Sequence, residues 1–156
     1  MNKKKVYIIV LIAVALMLAL LTGGKGAEAV AEDFVENMLA GNGKKCVALM
    51  TDDAVAKTGS ATRKILARTM DIALADMQEE YKDKYGKKWT YEVVVVDSYD
   101  ITGEYYGEEH IGDAVEVVVE IQHKGSGFFN DETGIETETL VLVNENGDWL
   151  VSGFSS

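Results

Sequence analysis

The hydrophobic pattern of this chain changes period once, near Trp89, and that change constrains the fold more than any other feature. Upstream, apolar residues recur at helical spacing; downstream they alternate as on strands. Between Ala27 and Ala40, Val30, Phe34 and Met38 form one i, i+4 row, and Ala31, Val35 and Leu39 the row beside it. Glu28, Glu32, Asp33, Glu36 and Asn37 take the other side. Gly41 suits the left-handed position that ends a helix. A shorter apolar stretch with Cys46, Val47, Leu49 and Met50 is interrupted by Thr51-Asp52-Asp53. The longest helix is expected from near Ser60, a good N-cap, to about Tyr85. Its buried stripe is predicted as Leu66, Met70, Ala73, Leu74, Met77 and Tyr81.

Past the change of period, Trp89, Tyr91, Val93, Val95, Asp97 and Tyr99 share one face of a first strand, and Glu92, Val94, Val96 and Ser98 the other. A second strand runs from Asp113 to about Lys124, alternating Val115, Val117, Val119 and Ile121 with Glu116, Val118, Glu120 and Gln122. The third covers Ile135 to Asn144, and Asn146-Gly147 is a strong hairpin signal leading into a fourth from Asp148 to Phe154. Helices first and a strand meander afterwards predict an α+β domain. About three helices are expected on one face of a curved, antiparallel, four-stranded sheet.

Ahead of that domain, Lys3-Lys4-Lys5 precede an uninterrupted apolar run from Val6 to Leu21, followed by Thr22-Gly23-Gly24-Lys25-Gly26. A basic start before an apolar core is an export pattern, and the positive-inside bias keeps those lysines in the cytoplasm. From Val6 to Gly24 a helix at about 1.5 Å per residue reaches roughly 28 Å, close to the ~30 Å hydrocarbon core. Residues 1–26 therefore read as a signal anchor or a signal peptide with a hinge, and 27–156 as the folded domain. A retained anchor leaves the C-terminal domain on the outer side of the cell membrane; cleavage, with small-residue sites at Ala27-Glu28-Ala29 or Gly24-Lys25-Gly26, leaves it secreted. Lipidation is not expected, because Cys46 lies far beyond the apolar run.

Charge narrows the partners. Removing the four lysines of the acid-free first 25 residues from a formal charge of −11 leaves −15 on the rest, which disfavours nucleic acid and anionic lipid. One cysteine rules out an intrachain disulfide framework and a multi-cysteine zinc site. There is no His-Glu-x-x-His pair, Gly-x-Ser-x-Gly elbow or phosphate loop.

The run AEAVAEDFVENMLAGNGKKCVALMTDDAV resembles the opening of the nuclear transport factor 2-like superfamily, IGDAVEVVVEI its middle strand, and LVLVNENGDWLVSGF its closing hairpin. The resemblance spans roughly residues 27 to 154. It implies a cystatin-like α+β cone in which a curved sheet wraps the long helix and leaves an open, partly apolar end. It also implies likeness to small bacterial members, secreted or anchored in the cell envelope, most of which have no known activity.

The superfamily includes isomerases and dehydratases with an Asp base inside the cone. Asp97 and His123 have the parity of their strands' apolar faces, so an isomerase- or hydrolase-like pair is one expectation, against polar strand ends that simply meet water. Tyr91, Tyr99, Phe128 and Trp149 are candidates to line the pocket. Phe128 and Phe129 stand in an otherwise polar loop, where they either cap the cone or meet a partner. Glu104, Glu108, Glu109 and His110 offer hard oxygens and one imidazole to a divalent cation, although their spacing matches no calcium loop. Cys46 reads as a small buried hydrophobe more readily than as a reactive thiol. No cofactor is expected. The overall expectation is a membrane-tethered or secreted binding or assembly domain, held through Val6 to Gly24, that takes a small apolar ligand, a protein partner or a second copy of itself.

Overall fold

The computed structural model describes residues 25–102, 113–127 and 132–155, and within them the chain is α+β. The order is α1 (Ala27–Leu39), α2 (Gly43–Ala48), α3 (Asp52–Lys57), α4 (Arg63–Tyr85), β1 (Thr90–Asp100), β2 (Ala114–Lys124), β3 (Thr133–Glu145) and β4 (Asp148–Phe154). The strands form one antiparallel sheet in the order β1-β2-β3-β4. Four helices replace the expected three, because Thr51 does not merely interrupt the apolar stretch. Its hydroxyl accepts from the Ala54 amide, making it the N-cap of α3, with Asp52 and Asp53 in the first turn. For α4 the cap is Thr62 rather than Ser60, its hydroxyl accepting from Ile65 N–H.

α1 is the helix that covers the sheet. It lies against all four strands and buries Val30, Ala31, Phe34, Val35 and Leu39. Each larger side chain of that set contributes about 1.5–3 kcal/mol by leaving water. They meet Val93, Val117, Val119, Ile121, Leu140, Leu142 and Val151 in one core. Gly41 takes the left-handed conformation that releases the chain into α2, and Asn146 and Gly147 both adopt positive φ in the β3–β4 hairpin.

The long helix departs from expectation. α4 packs chiefly on α2 and fully buries only Leu66, Leu74 and Tyr85. Met70, Met77 and Tyr81 are half-buried, and Ala73 faces solvent. A four-residue step from Leu66 to Met70 to Leu74 keeps one stripe against α2, whereas Ala73 lies a residue off that row. α1 is therefore the helix that lies on the sheet, and the last turns of α4 reach it through Tyr81, Lys84 and Tyr85.

One edge of the sheet is covered. Met50 bridges to Val151 in parallel, Thr51 N–H donates to Val151 O (3.0 Å), and Val151 N–H donates to Leu49 O (2.7 Å). The other edge is β1, whose pairing with β2 shifts register between Val95 and Asp97, leaving Val96 as the extra residue of a bulge. Among the described residues no helix is long and apolar enough to cross a membrane, and the run from Val6 to Leu21 lies outside them.

Candidate functional site

The Val96 bulge decides the fate of the expected Asp97–His123 pair. Up to Val95 the inner face of β1 matches that of β2, with Tyr91 opposite His123, Val93 opposite Ile121 and Val95 opposite Val119. After the extra residue, Asp97 stands opposite Val118 and Tyr99 opposite Glu116, on the outer face. Both side chains are exposed. The Tyr99 hydroxyl donates to the Asp97 carboxylate, and with the Ser98 amide it holds that carboxyl below its ordinary range, the reverse of what a general base in an apolar pocket requires. The structure does not bring Asp97 to His123, and it removes Tyr99 from the inner face.

His123 instead lies in an aromatic clasp. Its side chain is 0 % exposed. The Tyr85 ring stacks on it at 4.9 Å with an 8° interplanar angle, and Tyr81 and Trp89 pack at 4.6 and 5.9 Å. Trp89 Nε1–H donates to His123 Nδ1 at 3.0 Å, which places the proton of the neutral ring on Nε2. Nε2 faces Glu136 Oε2 at 3.4 Å without hydrogen-bond geometry, while the Tyr81 hydroxyl donates to the same oxygen at 2.6 Å. Burial holds the imidazole below its ordinary pKa, the Glu136 carboxylate opposes that shift and Lys84 adds to it. The Tyr81 hydroxyl is held well above its ordinary value by burial first and by Glu136 second.

Gly134 makes room for this arrangement. It stands opposite His123 on β3, and a Cβ there would come within 2.0 Å of the Tyr85 hydroxyl. The rings fill the space at this end of the inner face, and their chemistry is that of a lock: they fasten the last turns of α4 to β2 and β3. Tyr91 joins the margin of the cluster, 5.2 Å from the Trp89 ring. Trp149 lines a separate cleft of about 480 Å³ with Lys25, Val30, Leu49 and Leu150. Cys46 is buried, with its thiol pushed up to about 11 by burial.

Phe128, Glu104, Glu108, Glu109 and His110 lie outside the described residues. Among the described residues no group of three or more acidic, histidine or cysteine side chains is placed to hold a metal ion.

A second locus appears on the helical side, where α2 meets the first turns of α4. A groove of about 500 Å³ has Val47, Ala48 and Ala67 as its apolar lining and Lys44, Arg63, Lys64 and Arg68 as its basic rim, with Asp71 at one end. Two of these charges serve the fold. Asp71 accepts from Gly43 N–H at 2.7 Å, at the start of α2. Arg63 donates to Val47 O (2.5 Å) and Met50 O (2.9 Å) and pairs with Asp52 at 2.6 Å, closing the carbonyl end of α2.

Lys44, Lys64 and Arg68 are exposed and form no ion pair among the described residues. In a body of charge −15, three cations without ion pairs among the described residues stand beside an apolar floor, and their N–H donors are of the kind that charge-assisted hydrogen bonds to anions use. Sequence reasoning missed it, although Lys64 and Arg68 stand at i, i+4 and Lys44-Lys45 are adjacent. What it lacked was the packing of α2 on α4 that gathers them.

Comparison with known proteins adds no family: no family model matches the chain, no curated protein matches, and no solved structure matches.

Proposed function

We propose that this chain is a membrane-tethered, extracytoplasmic binding domain whose site is the groove between α2 and α4, and that its ligand is an anion with an apolar portion. The single observation that carries this reading is the set Lys44, Lys64 and Arg68, without acidic partners among the described residues, around Val47, Ala48 and Ala67. A volume of about 500 Å³ suits a small ligand. Tethering rests on the basic start and apolar run of residues 3–21. The nuclear transport factor 2-like resemblance is kept as a proposal about ancestry, and the α+β architecture with a meandering antiparallel sheet is consistent with it. The difference is that α1 takes the place against the sheet that the resemblance gives to the long helix.

The test is calorimetric titration of the full chain, held in phosphatidylcholine nanodiscs, with hexyl phosphate, hexanol and inorganic phosphate. Hexyl phosphate is expected to bind more tightly than either fragment. Lys64→Glu with Arg68→Glu is expected to weaken it by about tenfold or more, the loss of at least one charge-assisted contact. Equal binding by the double variant would remove the groove as the site.

A further inference from the structure

Resting on that reading of the groove, we infer that its occupant is the phosphate headgroup of an anionic lipid in the membrane that anchors the chain, so that the domain sits groove-side down. Three observations support this occupant. The first is the short reach of the tether. Between the end of the apolar run at Leu21 and the start of α1 at Ala27 stand five residues, which extend at most about 17 Å. The domain is thus held within a few screening lengths of the lipid surface, and its orientation there is an electrostatic matter.

Second, a body of charge −15 is repelled by an anionic surface on most of its faces. The groove offsets this locally, since Lys44, Lys64 and Arg68 form no ion pair among the described residues and the one acid of its lining, Asp71, is engaged by Gly43 N–H. Third, the groove lies beside the point where the chain enters the domain. Ala48 lines the groove and also lines two clefts to which Lys25, the first residue described, contributes; Lys45 lines one of these. Phosphate against the cations and glycerol or upper acyl carbons against Val47, Ala48 and Ala67 match the two chemistries that line the groove.

Lysine acetylation of the full chain, read by mass spectrometry, tests the inference. The chain is placed in nanodiscs of phosphatidylcholine alone, or of phosphatidylcholine with phosphatidylglycerol. Lys44 and Lys64 are expected to react about fivefold more slowly in the anionic discs, the factor expected for each basic residue held at an anionic surface. Lys87 and Lys88, beyond the far end of α4, serve as internal controls and keep their rates. The protection is expected to vanish at about 1 M salt, where the screening length falls to about 3 Å.

Adding hexyl phosphate to the phosphatidylcholine discs separates the two claims. Protection by hexyl phosphate but not by phosphatidylglycerol discs would overturn lipid docking and leave the anion site standing. Protection by neither would overturn both. Protection only by a glutamate-rich peptide would overturn the lipid in favour of an acidic protein partner.

Discussion

His123 shows how one residue can have candidate chemistry and a structural position at once. An imidazole is the side chain whose ordinary pKa of about 6.5 falls in the physiological range, which is why it attracts a catalytic reading. Here Tyr81, Tyr85 and Trp89 surround the ring, Trp89 occupies Nδ1, and burial keeps it neutral in the fold. The unfolded chain has no such shelter and takes up a proton as pH falls through about 6.5. The folded imidazole does so only at its lower value, and between the two the unfolded state binds more protons. The stability contributed by the neutral ring is therefore complete above about pH 6.5 and is lost as pH falls toward the folded value, by at most about 1.4 kcal/mol per pH unit. Glu136, whose carboxylate favours the charged ring, makes the window narrower, and Lys84 makes it wider. His123→Gln keeps an acceptor for Trp89 but no longer titrates. Urea unfolding followed by tryptophan fluorescence is expected to show the wild-type midpoint falling over the first pH unit below about 6.5 while the variant's stays level. Parallel declines would assign the effect to the carboxylates instead.

At the scale of elements, Arg63 ties together three helices with a single side chain. It stands in the first turn of α4, yet its guanidinium closes the last carbonyls of α2 and pairs with Asp52 in the first turn of α3. Its truncation to Ala is expected to cost about 1–3 kcal/mol, the range for charge-assisted hydrogen bonds, in denaturant unfolding. Arg63→Lys is expected to recover little, since one ammonium cannot span three acceptors; full recovery would show that charge alone is what matters. The same elements show how much of the fold could be read in advance. Strict alternation along β2 gave the inner face correctly, because Val117, Val119, Ile121 and His123 are buried in register. In β1 the alternation failed at Val96, since an inserted residue leaves no mark in a run of four valines and reverses every side chain after it. The stripe of α4 was legible at Leu66 and Leu74 but misplaced at Ala73, because a helix packed chiefly on one short neighbour buries a narrow row. The groove was illegible for a related reason: its cations are distant in sequence and meet only through tertiary packing.

For the whole molecule the governing quantity is charge. Residues 26–156 have 15 more acids than bases, and folding brings them closer together than in the extended chain, so self-repulsion lowers the stability of the compact state. Among the described residues the ion pairs that offset it include exposed ones, such as Lys57 with Asp53 and Lys82 with Glu79, each contributing no more than about 1 kcal/mol. Added salt screens the repulsion over about 8 Å at physiological strength and less above it, and it weakens those exposed pairs at the same time. With acids in such excess the repulsive term prevails at neutral pH. The thermal midpoint of the full chain in neutral nanodiscs is therefore expected to rise as sodium chloride is increased at neutral pH. Near the sequence pI of about 4.6, where net charge vanishes, salt is expected to leave the midpoint unchanged or to lower it. Lys64→Glu with Arg68→Glu sharpens the comparison, because it replaces two exposed cations by anions and should steepen the neutral-pH response while leaving the buried core untouched. Scanning calorimetry across a salt series at both pH values decides the matter: an identical salt response at neutral pH and at the pI would mean that charge repulsion does not limit this fold, and would remove the electrostatic ground on which its orientation at a membrane is argued.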